Sequence, residues 1–536
     1  MNHSLLKRLN ASITTLVFVN AAVFCSAAPA DGPNAGTPQI TAMAAARFLE
    51  QAGFGPTAAS VAEVQSVGFS KWIDAQIALD SSQWSAIPDP SVNAKGNTSL
   101  APAQAAFFVN AVNGKDQLRQ RVAFALSQIW VVSGVKLKPP AIVPYLRLLQ
   151  SDAFASYDKI MYDVTLSPAM GHYLDMVNNN KATPGHSPDE NYAREILQLF
   201  TIGLDKLDIY GRVIKDSTTG AGIPTYDQDT VEGFAAAFTG WTYAPQDGKR
   251  SKFPNPANWD APMVAFEANH DMNPKPLLNG AKLPANQSAE MDLKRALANI
   301  FQHPNVAPFI SRQLIQRLTS SNPSDAYVGR ISNVFNQQPR GDMAAVVKAI
   351  LLDPEARQGD DGSENAATKL REPVLWMSAL LRGLHASVAP ANGLTNAAAG
   401  LGQTLYYSPS VFNYFAPGYR VSISDTQTYN APEFQLLSEA TAASAADLVN
   451  TFTYGKVGGV AIDLSPYVAM LGGARPASAD VLRMVDQLNI DLMGGRMPST
   501  MRQTVALAAA AATTPKAIVQ AAVYLIGSSW NYQVER

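Results

Sequence analysis

The sequence predicts a mainly α, multi-helix globular protein with an irregular, partly β insertion in the middle. Three observations carry that reading. Hydrophobic residues make up 47% of the 536 positions, and over long stretches they recur about every three to four residues, the spacing of one helix face. Ser, Thr and Asp stand before many of these stretches, and Gly or Pro after them, as helix caps and stops require. Between about residues 205 and 280 Gly, Pro, Asn and Asp become frequent, and short runs such as GRVI suit a hairpin better than a helix.

In chain order, the first thirty residues read as an export signal. Lys7 and Arg8 precede the apolar run Ile13 to Phe24, and CSAAPA supplies small residues for cleavage. The run is shorter than the ~20 apolar residues a spanning helix needs, so no transmembrane span is expected after cleavage. Residues 31–40 are a Pro/Gly linker. An N-terminal helical region, 41–204, follows. Its helices are expected over Ala44 to Ala52, from Thr57 to Gly68, from an N-cap at Ser70, and through DQLRQRVAFALSQIWVV, where Leu118, Val122, Ala125 and Ile129 share a face. Two more are divided at Ser167-Pro168, and another runs from Ser187 to Gly203.

The insertion spans 205–285 and carries one helix, from about Asp227 to Gly240. A second helical region covers 286–385. Residues 386–430 are an aromatic and Pro-rich irregular segment, and 431–536 a C-terminal helical region with helices near Val481 to Met493, Ser499 to Ala512, and behind Thr514-Pro515.

Composition excludes several classes of function. Charged residues are only 16%, and 41 Lys+Arg against 43 Asp+Glu give a net charge of -2. With no long basic run to neutralise phosphates, nucleic acid is not an expected partner. Cys25 is the only cysteine and lies in the predicted signal. The cleaved chain would hold no disulfide, thiolate nucleophile, Cys-bound zinc or iron–sulfur cluster. The motifs HExxH, GxSxG and the Walker loop do not occur.

LEQAGFGPT, LRQRVAFALSQIWVVS, SPAMGHYLDMVNN, PDENYAREILQLFTIGL, PTYDQDTVEGFAAAFTGW, NHDMNPKPLLNG, LREPVLWM, GQTLYYSPSVFNYFAPGY and APEFQ follow one another along the chain. In these segments the sequence resembles the bacterial exported family called domain of unknown function 1800, from about Ala44 onward. The resemblance implies an exported, mostly helical protein, periplasmic or extracellular. Its partner would be an exported alkaline-phosphatase-like protein encoded by a neighbouring gene. No catalytic residue is implied.

Candidate chemistry comes from the residues themselves. His172 and Asp175, three apart on a predicted helix, share a face, with Asn179 one turn on. His270-Asp271 stands in a Pro/Asn-rich loop, where an imidazole with a neighbouring carboxylate suits a metal ligand or a general base. His172, Asp175, His270 and Asp271 are the candidate metal ligands, for a divalent ion taking nitrogen and oxygen donors. His270, Asp271, Glu195 and Arg194 are the candidate catalytic residues.

Structural readings compete with these. Ser187-Pro188-Asp189-Glu190 is a capping box, Glu190 and Arg194 pair four apart, and Arg194 or Glu195 could tie helices together. The aromatic residues Tyr406, Tyr407, Phe412, Tyr414, Phe415 and Tyr419 suit either a core or a binding loop. Two functions follow. One is a metal-dependent or general acid/base hydrolase of an extracellular polymer or ester. The other is a non-catalytic envelope assembly or binding protein. Convergence of His172, Glu195, His270 and Asp271 on one pocket would favour the first.

Overall fold

The computed structural model describes residues 39–363, 368–473 and 476–535. The predicted signal, and the linker up to residue 38, lie outside the described residues. Helices take up 52% of the chain, which puts it in the mainly α class. No sheet among the described residues has more than two strands.

The helices begin and end where cap chemistry dictates. Thr41 caps Ala42–Ala52, and Thr57 and Ser60 form a reciprocal capping box on Ala58–Val67. Thr514 caps Pro515–Gly527, and Ser167 with Pro168 opens Pro168–Tyr173. Ser70 is not a cap. The helix Phe69–Ile77 starts two residues earlier than that cap would set, behind Gly68, whose φ of 87° lets the chain turn directly out of the preceding helix.

Two apolar cores result. The first gathers Phe48, Trp72, Val122, Trp130, Tyr157 and Phe200 with helices as far as Met343–Leu352. The second gathers the helices Pro373–Gly383, Glu439–Tyr454, Ser478–Met493 and Pro515–Gly527 around Phe54, Phe108 and Phe124. Arg382, inside the second, donates Nε to Gly55 O at 2.7 Å and Nη1 to Val112 O at 2.7 Å. It thus ties the Pro373–Gly383 helix to the amino-terminal helices. Burial holds its guanidinium down to about 10.

The insertion is a meander of short pairings. Trp241–Thr242 runs antiparallel to Val264–Ala265, with Trp241 opposite Ala265, and Lys275–Pro276 pairs with Lys282–Leu283. Its helix, Gln228–Ala237, packs on the Lys275–Pro276 strand so closely that a Cβ on Gly233 would lie 1.9 Å from Pro276 O. The segment 386–430, read as irregular, contains the helix Gly393–Gly400 and the hairpin Arg420–Ser422/Thr428–Asn430. Near the other end of the chain Val534–Glu535 pairs with Lys369–Leu370, and Arg371 N donates to Gln533 O at 2.9 Å. No helix among the described residues is long and apolar enough to cross a membrane.

Candidate functional site

His270 follows a single 3₁₀ turn, Glu267–Asn269, that aims it into the protein, and its side chain is fully buried. Its Nδ1 lies 2.9 Å from Thr239 O and its Nε2 3.0 Å from Asp292 Oδ2. Lys275 Nζ reaches the same Asp292 oxygen at 2.7 Å and donates to Asp271 O at 2.6 Å. Asp271 accepts from Asn273 N at 2.7 Å, and Gln287 Nε2 donates to the other oxygen of Asp292. Burial would raise the Asp292 carboxyl, but the hydrogen bonds and charges of His270 and Lys275 outweigh it and hold the group below its ordinary value. The His270-Asp271 loop is therefore tied to the helix Ala289–Phe301 by a buried charge network, and both ring nitrogens are engaged within it.

His172 and Asp175 do not share a helix face. The helix ends at Tyr173, and Asp175 has φ 61°, in the left-handed region, so its side chain swings away. His172 Nδ1 is 2.8 Å from Tyr243 OH, with the ring edge-on to Trp259. Asp175 accepts from Lys136 at 2.8 Å and from Asn191 at 3.0 Å. His172 and Asp175 thus have partners separate from those of His270 and Asp271, which share Thr239 and Lys275 in one network. Among the described residues no group of three or more His, Cys, Asp or Glu is placed to hold a metal ion.

Ser187 does not open a helix either. The Asn179 amide holds both main-chain groups of Asp189, at 2.8 and 2.9 Å, so this stretch stays out of the helix, which begins at Asn191 behind Glu190. The pair Glu190–Arg194 forms as expected, at 2.5 Å, and Arg194 also donates to Gln228 at 2.9 Å. Arg194 is exposed.

Glu195 is different. Its Oε2 is buried with no hydrogen-bond partner, and burial raises the carboxyl against the pull of Arg194. The hydroxyl of Tyr226 is also buried and unpartnered, and burial with the charge of Glu195 pushes Tyr173 up to about 12.

Directly after Glu195 the backbone widens into a π-helical turn, Ile196–Thr201, a local defect often found at functional sites. It places Gln198 and Leu199 on the wall of a cleft of about 470 Å³. Leu204, Phe309, Gln313, Gln316, Phe412 and Pro417 continue that wall, and Gln128 lines it as well.

Buried charge lies next to it. Glu372 Oε2 accepts from Gln128 at 2.6 Å and from Gln403. Lys369 donates to the carbonyls of Gln316 and Arg317, and stands 3.5 Å from Glu433 Oε1. Arg121 donates to Arg317 O at 2.7 Å, and the Arg317 guanidinium stacks 4.7 Å over Phe415. Burial lowers both guanidiniums. Sequence reasoning missed this site, although a signal existed: Arg121 and Gln128 interrupt an apolar helical run, and Arg371-Glu372 directly precedes another, where only a satisfied polar group can stay buried.

A family model described as "Protein of unknown function (DUF1800)" matches residues 47–534. The chain belongs to the DUF1800 family. No curated protein matches the chain, and no solved structure does. In this DUF1800 protein three of the family-like segments line the cleft and two more supply charges beside it. LRQRVAFALSQIWVVS supplies Gln128, PDENYAREILQLFTIGL supplies Gln198 and Leu204, and GQTLYYSPSVFNYFAPGY supplies Phe412 and Pro417. LREPVLWM and APEFQ supply Glu372 and Glu433 of the adjoining charges.

Proposed function

We propose that this DUF1800 protein is an exported, non-catalytic binding protein, that the cleft is its docking face, and that its partner is an exported alkaline-phosphatase-like protein. The observation that carries this reading is the apolar rim. Leu204 and Phe412 line the cleft yet are 56% and 45% exposed. Tyr210, Tyr419, Ile423 and Tyr429, from the same two turn-rich segments, are exposed as well. Large apolar side chains left in water cost free energy that a partner surface recovers by covering them. The residues first considered for chemistry, by contrast, act mostly as ties between elements. Purified partner titrated into this protein in a calorimeter should bind, and Leu204→Glu or Phe412→Glu should weaken binding at least about tenfold, the cost of burying a charge at an apolar contact. Unchanged affinity in both variants sinks the reading.

A second reading, hydrolysis of an extracellular polymer or ester, is favoured by one observation: the raised, unpartnered carboxyl of Glu195. A carboxylic acid kept protonated nearer neutrality can serve as a general acid. Turnover of a panel of ester and glycoside substrates, lost in Glu195→Gln, would select it over docking. Equal rates in both proteins would remove it.

A further inference from the structure

The glutamines of the cleft share one asymmetry. Gln128, Gln313 and Gln316 are each more than nine-tenths buried. Each turns its Nε2 toward protein acceptors: Gln128 to Glu372 at 2.6 Å, Gln313 to Leu199 O at 3.3 Å, and Gln316 to Ser321 O at 3.1 Å and Pro417 O at 3.3 Å. Only an N–H satisfies those oxygens, so the amide orientation is fixed and the Oε1 atoms are what remains. Among the described residues none of the three Oε1 atoms accepts a hydrogen bond, and that of Gln128 is fully buried. Gln198 lines the same cleft, and among the described residues neither end of its amide is hydrogen-bonded. Among the described residues of the lining the one charged side chain, Arg312, is already paired with Asp325 at 3.3 Å.

The cleft therefore offers amide acceptors without net charge, between walls formed by Leu199, Leu204, Phe309, Val411, Phe412 and Pro417. A matching occupant is neutral, donates hydrogen bonds at intervals and carries apolar groups between its donors. An extended polypeptide has that pattern: main-chain N–H groups in a row, with side chains alternating to either side. A sugar chain donates too, but it would bring more hydroxyls than these walls can pair.

We infer that the cleft binds an extended, uncharged apolar peptide segment, its main-chain N–H groups accepted by the side-chain oxygens of Gln313 and Gln316, while the buried oxygen of Gln128 lies behind them out of reach. The inference rests on the docking reading and names the part of the partner that enters.

A random decapeptide phage library panned on the full protein provides the test, with a selected peptide then followed by fluorescence anisotropy. Peptides of low charge with alternating apolar residues should be enriched. N-methylation at single main-chain positions of a selected peptide should weaken binding about three- to tenfold where an N–H is read, the value of one hydrogen bond. Gln313→Ala should weaken it similarly, with thermal unfolding of the variant used to verify its fold. Indifference to N-methylation at every position overturns the inference, as does failure to select any peptide, or a cellohexaose that binds in the cleft and is lost on Leu204→Glu. If the alkaline-phosphatase-like partner binds and depends on Leu204 while no peptide does, the docking reading stands and only this inference fails. If the partner ignores Leu204→Glu, the docking reading itself fails.

Discussion

His270 and Asp292 face each other across 3.0 Å, both side chains fully removed from solvent. Lys275, 1% exposed, completes the group. A carboxylate shared by an imidazole and an ammonium inside a core is there to hold elements together, because breaking such a group strands the charges that remain.

Asp292→Asn is accordingly expected to destabilise the protein by about 3–5 kcal/mol, as for removal of one partner from a buried ion pair, read from urea unfolding. The pH profile adds a sign. Asp292 is depressed in the folded protein, so its stabilisation is complete above the unfolded value of about 3.9 and is lost as pH falls from there through the folded value. The variant should lose that acid limb. An unchanged limb would show that the carboxylate carries no differential protonation.

His303 stays neutral to a lower pH than a surface histidine does. Burial, helped by Lys206 and Arg340, lowers it to about 4, and its Nδ1 accepts from Asn305 N at 3.1 Å, which requires the neutral ring. Because the unfolded ring protonates near 6.5 and the folded one only near 4, stability should fall as pH drops through that window, by roughly 2–4 kcal/mol in all. His303→Gln should flatten the slope between those limits in unfolding midpoints measured at several pH values.

Gly233→Ala puts a methyl carbon 1.9 Å from Pro276 O. Alanine normally improves a helix by about 1 kcal/mol. Here it must push the Lys275–Pro276 strand off the helix and should cost about 3 kcal/mol or more. Gly400→Ala is the control, since nothing lies within 4 Å of its added carbon. It should be neutral or slightly stabilising, and equal effects from the two would contradict the packing account.

Glu195 is raised, so its ionised form works against the fold once pH exceeds its ordinary range of about 4.3. Glu195→Gln should therefore raise the thermal midpoint at pH 7 by on the order of 1 °C and change it less at pH 4. A residue that gains stability when neutralised is one kept for a purpose other than stability.

Helix positions were legible because caps and stops act over a few residues. Thr57, Ser167-Pro168 and Thr514-Pro515 stand where the sequence puts them. Ser187 failed for a non-local reason: Asn179 takes the main chain of Asp189, and no pattern within the segment reveals that competitor. The same limit applies to Asp175, whose left-handed backbone breaks the assumed helix face. His270 and Asp271 attracted notice as a loop pair, but the third member, Asp292, lies some twenty residues on in a different element. The cleft stayed hidden because Gln313 and Gln316, on one helix, meet Gln128 and Gln198 from two other elements only through packing.

The pairing of Val534–Glu535 with Lys369–Leu370 has a kinetic consequence. The partners lie more than 160 positions apart, so closing this contact carries a large loop entropy and belongs late on any folding route. A growing polypeptide must keep Lys369 and Arg371 soluble without their eventual neighbours throughout that interval. Truncation before residue 530 should yield a product that chaperones retain and proteases remove, even though every family-like segment is already present in it.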